Sequence, residues 1–389
     1  MREVCVLGGD ITKFGISEKT NLEMFVEAAT EAIRQSNLEP KDMDALFFGN
    51  CLGTFEEGQM HMAPLAASEI GMSMSAPATR FEAACATATV AFRHAALLVA
   101  SGVYDVVLVG GTERCAKMGT PLATRTFAMG SQSNYEGAAG ITFPGVFGMA
   151  THMYSQKYGI PLQELKRHLA EVSVLSHRNG AKNPKGHFQK EITADTVLDG
   201  MMIADPLQLF DCCPFSDGAS AVVLAEAGKA KDLVDHPIHV AGMGQAAAGP
   251  LYLQQDLTRV KAREISIQKA YKEAGIGPDD IDVCELHDCF SIASVLAIEG
   301  FGFYEFGKGY DAATKGETAI GGKVAINPSG GLKSKGHPIG ATGTAQVVEI
   351  IEQLRGECGD RQVEGAKVGL VDTLGGDFGT IVNVILRSE

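Results

Sequence analysis

The second half of this 389-residue chain repeats the first. "EAIRQSNLEPKDMDALFFGNCLG" (31–53) is the end of an amphipathic helix, a turn at Pro40 and a strand beginning near Ala45. "KAYKEAGIGPDDIDVCELHDCF" (269–290) runs through the same order at a constant offset, with Pro278 for Pro40, Asp280 for Asp42 and Asp282 for Asp44. "CATATVAFRHAALLVASG" (85–102) matches "GATGTAQVVEIIEQLRG" (340–356), and each leads into a strand, "YDVVLVGG" (104–111) and "AKVGLVDT" (366–373). "DGASAVVLA" (217–225) and "FGTIVNVIL" (378–386) close the two halves. Strand-like β-branched runs alternating with amphipathic helices predict an α/β fold with mostly parallel sheets covered on both faces. The repeat predicts two alike halves, residues 1–235 and 236–389, packed about a pseudo-twofold axis. Residues from about 118 to 210 have no counterpart in the second half and read as an insertion, of the kind that is usually functional.

Composition removes several classes of function. A net charge of -14 argues against a nucleic-acid binder, which needs a basic face to displace counterions. No apolar run is long enough to span a bilayer, and "MREVCVLGGD" enters a strand instead of a charged leader, so a cytoplasmic address without membrane association is expected. The nine cysteines are scattered without CxxC pairing, which predicts reduced thiols and no zinc ribbon.

Three stretches carry chemistry-bearing side chains. Cys85 opens the helix beginning at Ala86, where unpaired N–H groups and the helix dipole favour a thiolate; the alternative is a small buried thiol at a strand–helix junction. In "NPSGGLKSKGHPIGATGTAQ" (327–346), His337 is the only histidine in a glycine-rich helix entrance that fits neither Walker nor dinucleotide fingerprints, and could serve as a base or sit in a mere connector. In "CELHDCFSIA" (284–293), strand alternation sends Cys284 to the face opposite His287 and Cys289, which disfavours a metal site and leaves those two directed into one cleft. One thiol and two histidines from two related halves suggest acyl transfer through a thioester.

In order and spacing, "EAACATATVAF", "HDCF" (287–290), "NPSGGLKSKGHPIGATG" and "LGGDFG" (374–379) resemble the thiolase family over essentially the whole chain. The resemblance implies the thiolase fold: two βαβαβαββ halves in five αβαβα layers, with a loop domain inserted in the first half. It implies Cys85 as the nucleophile accepting the acyl group of a 3-oxoacyl-CoA, and His337 as the histidine that activates it. His287 stands where most thiolases carry an asparagine of the oxyanion hole, and the backbone N–H groups of Cys85 and Gly375 would form a second hole. One departure matters. Thr373 occupies the place of the usual acid/base cysteine, as in sterol-carrier-protein-type and archaeal thiolases with a His-Asp-Cys-Phe motif, which leaves that task to Cys289. A thiol with a pKa near 8.5 would suit it.

Coenzyme A is the implied co-substrate, with no metal or redox cofactor. Its phosphates call for a basic patch, expected at Arg167, Arg178, Lys182, Lys185 and Lys190 of the insertion, while residues 127–154 are expected to line the acyl pocket and a subunit contact, with His152 structural. A homodimer follows from the fold. Family habit adds a small zinc-ribbon/OB-fold protein as a partner, and hydroxymethylglutaryl-CoA synthase as a further one. Two competing readings stand beside this: a decarboxylating condensing synthase on the same fold, which would not need Cys289, and a catalytically idle lipid-binding or scaffold subunit, which would not need the intact Cys85, His287, Cys289 and His337 set.

Overall fold

The computed structural model describes residues 1–388. Its first half runs β1 (Val4–Ile11), α1 (Asn21–Gln35), β2 (Ala45–Gly49), α2 (Met62–Ile70), β3 (Ala78–Phe81), α3 (Thr87–Ala100), β4 (Val106–Glu113) and β5 (Gly218–Glu226). Between β4 and β5 the chain leaves the sheet for α4 (Phe143–Tyr158), α5 (Leu162–Gly180), several short helical turns and a two-stranded ribbon. The second half runs β6 (Ile238–Ala247), α6 (Lys261–Ala274), β7 (Val283–Glu285), α7 (Ser291–Gly300), β8 (Ala325–Ile326), α8 (Thr342–Arg355), β9 (Val368–Gly375) and β10 (Thr380–Arg387). Both halves are therefore βαβαβαββ.

Strand pairing repeats as well. β2 is parallel to β3 and β4, β4 is antiparallel to β5, and β5 to β1. In the second half β7 is parallel to β8 and β9, β9 is antiparallel to β10, and β10 to β6. A two-residue antiparallel bridge, Cys5 to His239 and Val6 to Ile238, joins the two sets of five strands edge to edge.

Period-two alternation assigns each strand face to its own core. Val107 and Val109 of β4 face the middle of the molecule, where they meet Val90 and Phe92 of α3, Val347 and Ile351 of α8, and Val371 and Val384 of the second sheet. Leu108 faces the other way, onto Phe25, Ala28 and Ala32 of α1. In the second half Cys284 and Leu286 face outward onto Ile267 and Ala270 of α6. Helices α3 and α8 thus lie between the sheets and α1 and α6 outside them, which makes five layers. Burying each large apolar side chain in this way contributes roughly 1.5–3 kcal/mol, so the repeated pattern stabilises both halves independently of any chemistry. Helix α1 begins at a capping box, with Thr20 Oγ1 accepting from Glu23 N–H (3.2 Å) and the Glu23 carboxylate accepting from Thr20 N–H (2.7 Å).

Candidate active site

The strand ends and helix starts of the two halves meet at one place. Cys85 lies in the single 3-10 turn Ala84–Ala86 ahead of α3, after Ala84 has taken a left-handed backbone (φ 50°) that turns the chain sharply out of the strand region. His337 follows Gly336, whose φ of 111° and contact with Ser216, whose Oγ would lie 2.7 Å from any Cβ there, admit only glycine. His287 and Cys289 follow the short strand β7, which stops at Glu285, one residue earlier than the apolar pattern suggests. The segment 212–216 closes the seam: Cys213 N–H donates to the Cys289 carbonyl (2.9 Å), and Ser216 Oγ accepts from His337 N–H (3.1 Å).

Cys85 Sγ, a ring nitrogen of His287 and a ring nitrogen of His337 all lie within 4.8 Å of one another, and all three residues are buried. The two imidazoles stand edge to face with centroids 4.9 Å apart. His337 Nδ1 is 2.7 Å from Thr342 Oγ1, and that hydroxyl donates its own hydrogen to the Pro338 carbonyl (2.9 Å). Thr342 must therefore accept from His337 Nδ1–H, which leaves the Nε2 lone pair free; Nε2 has no protein partner although buried. Both ring nitrogens of His287 are likewise buried and without a protein partner. Buried polar atoms without partners inside a well-bonded shell mark a place built to receive something else.

Burial controls the protonation states. It pushes His337 down to about 3, and, together with the charges His337 and Arg263 would bring to bear, holds His287 well below the ordinary imidazole value. Both rings are neutral at physiological pH. Burial, reinforced by the Glu113 carboxylate, pushes the Cys85 thiol up to about 12, against the opposing effect of N–H groups of Gly376 and of Cys85 itself. The thiolate expected from the helix start is thus reversed: removal from water outweighs the dipole. Cys289 is fully buried, and its thiol is raised well above 9 by burial, then by Cys213, Cys85 and Asp288, with Arg263 opposing. The expectation of a near-neutral Cys289 thiol fails for the same reason.

Other predicted residues fall out as follows. Asp288 points away from the histidines, accepting from Leu332 N–H (2.7 Å) and Ser176 Oγ (3.3 Å). Cys284 packs in the outer core. Thr373 Oγ1 donates to Thr89 Oγ1 (2.8 Å) on α3, the helix that follows Cys85. A Cβ on Gly375 would lie 2.3 Å from the Ala83 carbonyl, so a side chain there would expel the Cys85 turn; the N–H groups that act on Cys85 Sγ are its own and that of the next residue, Gly376. Arg167, Arg178 and Lys190 are exposed, and among the described residues none has an ion-pair partner. Lys182 donates to the Asp360 carbonyl (3.4 Å), and Lys185 is paired with Asp10. His152 is paired with Asp205 at the surface (2.6 Å). No helix among the described residues is long and apolar enough to cross a membrane.

Several contributors escaped the sequence reading. Glu113, at the end of β4, accepts from the N–H groups of Cys51 (3.0 Å), Leu52 (2.9 Å) and Gly340 (3.1 Å) and from Asn50 Nδ2 (2.9 Å), tying the loop after β2 to the loop after His337. A carboxylate closing an apolar strand was the signal. Thr342 carried none beyond lying five residues past His337.

A buried thiol with a free imidazole lone pair beside it, and a second neutral imidazole free to donate, can form and break a thioester. The ligand-atom spacing of the three groups would also suit a metal ion. Comparison with known proteins decides the family. Residues 4–228 match the family model "Thiolase, N-terminal domain", and residues 244–388 match "Thiolase C-terminal domain-like". The chain is 41% identical to an acetyl-CoA acetyltransferase of Methanothermobacter thermautotrophicus over 98% of both chains, and 39% identical to one of Methanocaldococcus jannaschii over 100% of both. A solved "Ltp2-ChsH2(DUF35) aldolase" shares its fold, with a TM-score of 0.82 at 24% identity over 99% of this chain and 98% of that one. With both family models matched in order and two relatives aligned nearly end to end, the chain belongs to the thiolase family of acyltransferases.

Proposed function

We propose that this chain is a CoA-dependent thiolase that cleaves a 3-oxoacyl-CoA, or runs the reverse Claisen condensation, through an acyl group carried on Cys85. The observation that carries this reading is the cluster of Cys85, His287 and His337 within 4.8 Å, with three ring nitrogens left unpaired. His337 Nε2 takes the Cys85 proton as Sγ attacks the 3-oxo carbon. Because burial holds the thiol near 12 and the imidazole near 3, proton transfer and bond formation occur together. Cleavage of the bond between C2 and C3 leaves an enolate of a CoA ester, whose oxygen His287 stabilises and whose carbon takes the Cys289 proton. Free CoA then returns a proton to Cys289, attacks the acyl group, and expels Cys85 sulfur, which recovers its proton from His337. The N–H groups of Cys85 and Gly375 form the oxyanion hole for the tetrahedral state, and Gly376 N–H supports the sulfur.

In this reading the two halves are domains 1–235 and 236–389. Arg167, Arg178, Lys182, Lys185 and Lys190 receive the CoA phosphates, with the unpaired Arg167, Arg178 and Lys190 contributing most. The working unit is a homodimer assisted by a small zinc-ribbon/OB-fold protein. A decarboxylating synthase is disfavoured by Cys289, which is buried near enough to Cys85 for the two thiols to act on one another and which that route does not require. The test is thiolysis across short, branched and aromatic 3-oxoacyl-CoAs. Cys85→Ala is expected to lower kcat by about 1000-fold or more without loss of folding. A chelator is expected to leave the rate unchanged; loss that added zinc restores would reassign the cluster to a metal.

A further inference from the structure

Within the repeated framework, the two halves differ at one buried triplet. In the first half, Phe25 of α1 lies against Gly110 of β4, where a Cβ would meet its ring at 3.0 Å, and Gly110 pairs in register with Ala221 of β5. The same offsets that align the halves bring Arg263 of α6 and Asp372 of β9 to the places of Phe25 and Gly110, and strand pairing sets Asn383 of β10 opposite Asp372 as Ala221 is set opposite Gly110. An apolar set has become a charged one with no change of fold.

Arg263 is fully buried and holds Asp372 with two bonds, Nε to Oδ1 (3.1 Å) and Nη2 to Oδ2 (3.0 Å). Asn383 Nδ2 donates to the same carboxylate (3.0 Å), and His287 N–H reaches its other oxygen (3.4 Å). Gln346 of α8 donates to the Asp372 carbonyl (3.1 Å). Arg263 Nη1 is buried and has no protein partner. Removing two charges from water is expensive, and well-packed apolar residues often serve stability as well or better. The first half shows that this fold can fill the position with Phe, Gly and Ala.

We propose that Arg263, acting through Asp372, is the positioning residue for the His287–Cys289 segment: it clamps the His287 backbone and keeps a fixed positive charge behind the proton-transfer end of the site. The charge opposes formation of an imidazolium at His287 and favours the thiolate form of Cys289, the form each needs after the enolate is protonated. The proposal rests on the thiolase reading above. It separates the half-reactions, because Cys85 and His337 are held by other contacts.

The test transplants the first-half triplet, Arg263→Phe with Asp372→Gly and Asn383→Ala, beside the single variant Arg263→Lys. Two rates are measured: deuterium uptake at the α-carbon of acetyl-CoA, which reports Cys289 and His287, and alkylation of Cys85 by iodoacetamide. The triple variant is expected to fold, to lose α-exchange by about 100-fold, and to keep Cys85 alkylation within about 3-fold. Lysine, which keeps the charge but not the fork, is expected to recover part of the exchange rate. Equal loss of both rates, a normal exchange rate, or failure of the triple variant to fold would each overturn the proposal. Cys289→Ala serves as the control on the underlying reading: normal exchange in that variant would remove the thiolase assignment of Cys289, whatever Arg263 does.

Discussion

The two halves share a topology and divide the chemistry. At the end of β2 the first half carries Gly49, Asn50 and Cys51; at the end of β7 the second carries His287, Asp288 and Cys289 at the same offset. The first half supports its loop with one carboxylate, Glu113, held by three N–H groups and an amide. The second supports its loop with buried ion pairs, Arg263–Asp372 (3.0 Å), Lys335–Glu285 (3.1 Å) and the longer Lys333–Asp288 (3.9 Å). The scaffold is built twice, and function enters by point differences at strand ends, where side chains leave the sheet and can converge.

This comparison is broken most directly at the paired cysteines. Cys289→Ala is expected to lower α-proton exchange by about 100-fold or more, while Cys51→Ala, its mate in the first half, changes it less than about 3-fold. Cys51 is engaged locally, donating to the Ala84 carbonyl (3.1 Å) and lying 2.9 Å from Thr87 Oγ1. Similar losses in the two variants would dissolve the division between halves.

A smaller effect is expected at Thr342. Thr342→Val keeps the shape and removes the acceptor that holds Nδ1–H of His337, so the free lone pair no longer stays at Nε2. We expect kcat to fall about 10-fold with KM unchanged, a cost of about 1.4 kcal/mol in the transition state. A fall in kcat/KM through KM alone would contradict the tautomer assignment.

The smallest effect is expected at Glu113. Burial pushes its carboxyl up to about 7 despite the N–H groups of Cys51, Leu52 and Gly340. A folded pKa above the unfolded value of about 4.3 means that the folded state binds the extra proton. Stability from this group is complete below about pH 4 and lost as pH rises towards 7, so Glu113→Gln flattens the dependence of Tm on pH in that window. Above pH 7 the same change removes the negative charge that raises the Cys85 thiol, and iodoacetamide alkylation of Cys85 becomes a few-fold faster. Slower alkylation would show that Glu113 acts on Cys85 through loop geometry instead of charge.

Much of this was legible without coordinates. The repeat, the succession of strands and helices along each half and the position of Cys85 ahead of its helix follow from periodicity, because a residue's face in a strand or helix depends on local spacing alone. Strand pairing does not, and the mostly parallel sheets expected are mixed, with β5 antiparallel to β4 and β1, and β10 antiparallel to β9 and β6. The meeting of Cys85, His287 and His337 followed from the likeness to thiolases. The Arg263–Asp372 pair did not, although a signal existed: an aspartate inside "VGLVDTLG" and an arginine on the buried stripe of α6, in line with Ile267 and Ala270. Linking two such anomalies 109 residues apart requires knowing that α6 lies across that sheet.

Sequence alone determined the duplicated α/β architecture, the thiol and the two histidines, since these depend on residue type and order. Tertiary structure alone decided their protonation. The helix start argues for a lowered Cys85 pKa, yet enclosure by both halves and the Glu113 carboxylate raises it. A pKa reflects the whole dielectric and charge environment, most of which is contributed by residues distant in the chain, and that environment exists only once the halves have closed around the site.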